Sequence, residues 1–260
     1  MKKTICLFTA CLWLLSCFAQ ESRAYSGSGH IGHHQNAKAD TVGHKNTHLF
    51  LTYSYEYEET KGPLSITRTQ AADFFLMYGL TEKLDIIVDV PLKYRTVDGE
   101  KTYSGPDDIQ LAAKAVFYDR NGLSLAVSPF VVFPNWGYKY GIGEGRIQSG
   151  LSLYGTRKFR ALTLTAIGTY KRNENIVNDR LNIYKLYILP WLEINDKLTL
   201  TSSFGLERDT NKKNEHYPVY VSGGFLYKLT DFLTLYPSVK VGFQKPEKDI
   251  TVLMGTRWTF

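Results

Sequence analysis

The sequence predicts an all-β, 12-stranded, antiparallel up-and-down transmembrane barrel of the bacterial outer membrane. Three observations predict it. The last strand alternates without a fault up to the final residue. Tight turns recur at an even pace. A cleavable leader precedes a chain that has no second long apolar run.

In the last strand, Ile250, Val252, Met254, Thr256, Trp258 and Phe260 fall on one face, and Thr251, Leu253, Gly255, Arg257 and Thr259 on the other. Side chains on a strand alternate with a period of two, so one face is apolar and the other polar. A strand that runs to the chain end and closes on Phe resembles the C-terminal signal of outer-membrane barrels. Trp258 and Phe260 are therefore the expected signal to the barrel-assembly machinery.

The punctuation follows. Short turns fall at Leu80–Lys83, Asp119–Gly122, Arg157–Arg160, Asn195–Lys197 and Thr230–Phe232, and the second, fourth and fifth carry the Asn, Asp or Gly of tight hairpins. Longer polar loops fall between them, at Glu59–Pro63, Val97–Pro106, Asn135–Glu144, Asn173–Arg180, Asp209–Tyr217 and Lys245–Lys248. Five turns and six loops join 12 strands. Short periplasmic turns opposed to long outer loops are the layout of outer-membrane barrels, with both termini in the periplasm.

The leader is residues 1–19. Lys2 and Lys3 precede the apolar run Ile5–Leu15, which is too short to span a bilayer, and Cys17-Phe18-Ala19 offers small residues for cleavage after Ala19. The rival reading takes Leu14-Leu15-Ser16-Cys17 as a loose lipobox that would acylate Cys17. All three cysteines lie in this leader, so the processed chain has no disulfide, no thiolate metal site and no Cys nucleophile. Mean hydropathy is negative, which excludes a helical membrane protein. Aromatic content is 14%, with 18 Tyr against 4 Trp, as a barrel with aromatic girdles requires. The net charge of +6 is spread along the chain and gives nucleic-acid binding no support.

Alternation recurs along the barrel segment, residues 46–260. Leu84, Ile86, Val88, Val90, Leu92 and Tyr94 oppose Asp85, Asp89, Lys93 and Arg95; Leu198, Leu200, Phe204 and Leu206 oppose Thr199, Thr201, Ser203 and Glu207; Leu233, Leu235, Val239, Val241 and Phe243 oppose Thr234, Tyr236, Ser238 and Lys240. Twelve strands enclose a bore too wide for side chains to fill, which turns the apolar face outward. Aromatic residues are expected in two girdles: Tyr57, Tyr94, Phe133, Tyr170, Tyr184 and Phe243 on the loop side, and Tyr78, Phe117, Tyr154, Tyr227 and Trp258 on the turn side.

Phe75-Leu76-Met77-Tyr78-Gly79-Leu80-Thr81-Glu82-Lys83-Leu84-Asp85, with Asp89-Val90-Pro91, resembles a signature of the outer-membrane proteins associated with phenol meta-pathway gene clusters. Gly105-Pro106-Asp107-Asp108-Ile109-Gln110-Leu111-Ala112-Ala113-Lys114 resembles a second, and Tyr227-Lys228-Leu229-Thr230-Asp231 echoes the first. The resemblance covers roughly His48 to Phe260. It implies an outer-membrane barrel that moves small or hydrophobic compounds, and it brings no catalytic or binding residues with it.

The lumen is the expected working surface. Its predicted charged lining is Asp85, Asp89, Lys93, Arg95, Lys114, Lys171, Lys185, Glu207, Lys228, Lys240 and Arg257, with Glu56, Asp73 and Glu193. Such groups either set selectivity or pair across strands to fill a closed barrel. Residues 20–45 form a Gly- and His-rich segment, read as a flexible periplasmic arm, as a plug, or as a metal arm in which His30, His33, His34 and His44 share an ion. An acyl-transfer site needs a His beside a Ser, and no His-x-Ser pattern occurs, so no enzyme and no cofactor is expected. The expected function is a passive channel for small, hydrophobic solutes among them, in contact with outer-membrane lipid. The alternative is a closed structural barrel whose loops or arm bind a partner.

Overall fold

A computed structural model describes residues 38–60, 65–97, 103–135, 143, 145–173, 180–208, 217–243 and 250–260. Its strand segments are β1 (Thr47–Thr60), β2 (Ser65–Thr81), β3 (Leu84–Val97), β4 (Tyr103–Pro106), β5 (Ile109–Arg120), β6 (Leu123–Phe133) and β7 (Gln148–Phe159). They continue as β8 (Leu162–Arg172), β9 (Asn182–Glu193), β10 (Leu198–Glu207), β11 (Val219–Lys228), β12 (Leu233–Leu235), β13 (Ser238–Gly242) and β14 (Ile250–Thr259). Chain neighbours pair antiparallel, except β4 with β5 and β12 with β13, and β1 pairs β14 from His48↔Thr259 to Tyr57↔Ile250, which closes the wall. β4 and β5 both lie along β3, and β12 and β13 both lie between β11 and β14, so the segments make 12 strands. Closure leaves no strand edge unpaired, the condition for a sheet in lipid.

Several of the irregularities fall at prolines, whereas the shifts at Gly79/Thr81 and Val116/Tyr118 do not. Proline has no N–H to give a ladder. Pro91 faces the break between β4 and β5, where its carbonyl instead accepts the Asp107 N–H at 2.8 Å. The β5–β6 register passes from Ala112↔Phe130 to Ala115↔Val127 and skips Pro129; the β9–β10 register passes from Thr201↔Trp191 to Phe204↔Ile188 and skips Pro190. Pro237 separates β12 from β13 without shifting their register on β14.

The faces are as the alternation predicts. Val239, Val252 and Met254 are 46%, 47% and 58% exposed, whereas Lys240 and Thr251 are 1% and 3% exposed. Apolar residues therefore look outward and polar ones inward, the inverse of a water-soluble barrel. Three sequence expectations are corrected. Tyr154 faces the lumen, because Leu151 and Leu153 take the outward positions of β7 and leave the even positions inside. The third turn is Arg160-Ala161, with Arg160 left-handed at φ 50, because β7 continues to Phe159. The second long loop is half strand, since Tyr103–Pro106 extends the wall as β4.

Two glycines are required by close approach. The ring of Tyr236 lies where a Cβ on Gly255 would sit, and the ring of Tyr220 does the same over Gly205. Each inward tyrosine is thus laid flat across a bare stretch of a neighbouring strand. Gly255→Ala is expected to push the Tyr236 ring off its rotamer at a cost of about 1–3 kcal/mol. Urea unfolding of the protein refolded into vesicles measures it; a cost no larger than that of Gly168→Ala, where a Cβ meets open space, would refute the account.

Candidate functional site

The lumen divides along its axis. Most of its inward apolar side chains lie in the turn-facing half and at mid-height. Phe50, Phe75, Met77, Ile87, Tyr236 and Leu253 form one inward cluster, and Ile167, Tyr187, Leu189, Trp191 and Tyr220 form another. Ala39 joins a third, with Val116, Ala126 and Tyr154.

Ala39 belongs to residues 38–46, a strap that turns from the rim of β1 into the bore. Gly43 and Lys45 make the turn with φ 87 and φ 64. The strap is tied at several points. Lys45 N–H donates to the Gly79 carbonyl at 2.8 Å, Thr41 Oγ1 to the Glu82 carbonyl at 2.7 Å, and Ala39 N–H to Thr156 Oγ1 at 2.8 Å. Lys38 Nζ stands 5.0 Å from the centre of the Trp191 ring on the far wall, a cation–π distance.

One ion pair anchors it. Asp85 and Lys114 are directly opposite on β3 and β5, with Nζ to Oδ2 at 3.4 Å. Asp85 accepts the Val42 N–H at 3.2 Å, and Lys114 Nζ donates to the carbonyls of Lys38 and Asp40. Each charge serves its partner across the strands and the backbone of the strap. That satisfies the requirement that buried charge be both paired and hydrogen-bonded.

The loop-facing half is polar. Lys185 Nζ meets Glu207 Oε2 at 2.7 Å across β9 and β10, and Tyr187 Oη donates to Glu207 Oε1 at 2.6 Å. Lys93 pairs with Asp107. Lys171 Nζ donates to Gln148 Oε1 at 3.1 Å, and Gln148 Nε2 donates to Asn173 Oδ1 at 2.7 Å. Lys240 Nζ lies 4.3 Å above the Tyr220 ring. Asp73 and Asp89 are buried on the inner face of β2 and β3.

Asp85, Asp89, Lys114, Glu207 and Lys240 are buried on the inner faces of their strands. Arg257 is inward and half-buried, its Nη2 donating to Thr234 Oγ1 at 3.2 Å. Lys228 and Glu193 are the departures: their parity is inward, but they end at the turn-side rim. Lys228 is exposed and pairs with Asp231 at 2.8 Å, holding that carboxyl below its usual range, first by hydrogen bond and then by charge. Glu193 pairs with the exposed Lys158 at 3.2 Å. The side chain of Arg95 lies outside the described residues, as do His30, His33 and His34 of the metal reading. His44 is exposed on the strap, its Nδ1 3.0 Å from the Leu80 carbonyl oxygen. Among the described residues, no group of three His, Cys, Asp or Glu is placed to hold a metal.

At the closing seam, Phe260 and Thr47 exchange two backbone hydrogen bonds at 2.9 and 3.0 Å, and Trp258 stacks on Phe232 with ring centres 6.0 Å apart. The contacts of the strap leave no mark in the sequence, because nothing in Lys38-Ala39-Asp40 shows alternation.

No known family model matches the chain. No curated protein matches it either. Solved structures do. An outer-membrane channel from Pseudomonas putida F1 superposes with a TM-score of 0.72 at 11% identity, over 91% of this chain and 100% of that one. The NanC porin gives 0.61 at 10% identity, over 81% of this chain and 98% of that one; the KdgM porin gives 0.57 at 9%, over 81% and 99%. At such identities the likeness is one of fold: the chain has the barrel architecture of outer-membrane channels and porins.

Proposed function

We propose that this chain is an outer-membrane channel, a passive conduit for small solutes, with both termini in the periplasm and the strap closing its turn-side mouth. The observation that carries the reading is a closed wall, apolar outside and charged inside, with a short piece of backbone held across its bore. Outer-membrane lipid meets the outward face, and Trp258 and Phe260 on the exposed final strand are offered to the assembly machinery. The resemblance to the phenol-cluster proteins implies hydrophobic compounds, and the inward apolar clusters support that class of solute. No residue is assigned a catalytic role.

Planar-bilayer recording on the purified protein tests the reading. Small, steady conductance is expected from the intact chain, and a several-fold larger one when residues 20–42 are removed, since a charged bore freed of its plug conducts ions. A barrel filled by ion pairs such as Lys185–Glu207 and Lys93–Asp107 is the rival. Silence from both proteins, each migrating as a folded barrel in unheated gels, would establish the rival and end the channel reading.

A further inference from the structure

Two arginines stand on the lipid face at the turn end of β5–β7, and a bulge brings them together. Lys114 and Val116, both buried, show that the even residues of β5 face the bore up to that point. The register then shifts between Val116 and Tyr118, so that Phe117 and Tyr118 are both exposed, at 63% and 40%. A bulge of this kind re-aims the side chains beyond it. Arg120, which would otherwise point inward, pairs with the outward Leu123, and Leu123 pairs on its other side with Arg157 of β7. The two arginines therefore flank one leucine in a single outward row, two strands or about 9–10 Å apart. The hairpins that carry them are tied together. Asn121 and Gly122 make the turn after Arg120 with φ 53 and φ 72, and the Lys158 N–H donates to the Gly122 carbonyl at 2.8 Å.

Among the described residues, the outward strand positions elsewhere at this end are neutral, Tyr78, Leu80, Leu192 and Tyr227 among them. Arg120 and Arg157 are both exposed, and among the described residues neither has a carboxylate partner. The nearby acids are engaged: Asp119 accepts from Ser124 Oγ at 2.7 Å, and Glu193 pairs with Lys158. Arg160, in the next turn, adds a third positive charge. The Arg157 guanidinium lies 5.6 Å from the centre of the Phe159 ring, nearer the turn, which sets it at the level of the aromatic girdle rather than in the hydrocarbon. A guanidinium at that level meets lipid phosphate, and its planar fork suits paired phosphate oxygens. We propose that Arg120 and Arg157 hold the phosphodiester of one anionic glycerophospholipid across Leu123, its acyl chains lying on the outer face of β6 and β7. A net-negative headgroup is favoured over a zwitterionic one, because its second charged group would find guanidinium groups rather than a free acid. The proposal rests on the periplasmic placing of the turns in the channel reading, since phospholipid forms the leaflet on that side.

Native mass spectrometry of the full protein released from detergent tests it, with phosphatidylglycerol, phosphatidylethanolamine of the same acyl chains, or lipopolysaccharide added. One phosphatidylglycerol is expected to stay bound, in about five- to tenfold excess over phosphatidylethanolamine, the scale of two partly screened charge contacts. Arg120→Gln and Arg157→Gln should each lower that excess about two- to threefold. Arg157→Lys should lower it as well, since an ammonium keeps the charge but loses the fork. Arg172→Gln, at the exposed loop end of β8, should leave it unchanged. Heat-modifiable migration checks that each variant is folded, and the comparison of lipids on the parent protein needs no variant. Equal retention of the two phospholipids, or an equal loss from Arg172→Gln, would overturn the site. Retention of lipopolysaccharide in preference to phosphatidylglycerol would overturn it together with the periplasmic placing of the turns. A barrel that holds the lipid but stays silent in planar bilayers fails the channel reading alone and leaves the site standing.

Discussion

Val239→Arg is expected to cost about 2–4 kcal/mol of folding stability, because it places a guanidinium on the lipid face near the middle of its strand. Val239 is 46% exposed in the absence of lipid and pairs with Val252 of β14, itself 47% exposed. In a bilayer those fractions become contact with acyl chains, where a charge has neither water nor a partner. Val88→Arg, on the same outward face as Ile86 and Leu92, should behave alike. Thr201→Arg is the control. Thr201 faces the lumen from β10, and its cost should stay below about 1 kcal/mol, since lumen substitutions alter selectivity more than stability. Unfolding in urea from lipid vesicles gives all three values. Equal costs at Val239 and Thr201 would mean that the faces are assigned the wrong way round.

That orientation was open to the sequence because it rests on period two alone. Ile250 to Phe260 alternates without interruption, and a one-residue slip would have put Arg257 in lipid. The inward places of Asp85, Lys114, Lys185 and Glu207 follow from the same count. The count does not decide between adjacent candidates such as Leu153 and Tyr154, since either could take the outward position. There the register of β7 on β6 and β8 decides. It is equally silent on long-range pairing. Lys114 meets Asp85 only because β5 lies along β3, and Ala39 meets Thr156 only because the chain folds back through the bore. The strap has no period to read, as backbone held by hydrogen bonds needs no pattern of side chains.

Lys114→Met is expected to lower stability by about 3–5 kcal/mol, the usual result of removing one partner from a buried ion pair. Asp85 is 0% exposed, so its carboxylate would keep only the Val42 N–H. The same substitution removes the donor that reaches the carbonyls of Lys38 and Asp40, so the strap loses its anchor as well. The two effects separate in a second variant. Asp85→Asn combined with Lys114→Met leaves no unpaired charge and should recover much of the stability, because neutral replacement of a whole buried pair is close to neutral in cost. It does not restore the donor to the strap. Conductance in planar bilayers should therefore remain several-fold above that of the parent in the double variant, although its unfolding midpoint has returned. If conductance instead falls back with the stability, the ion pair only braces β3 against β5. The strap would then be held by its other contacts, those of Lys38, Ala39, Thr41 and Lys45 among them.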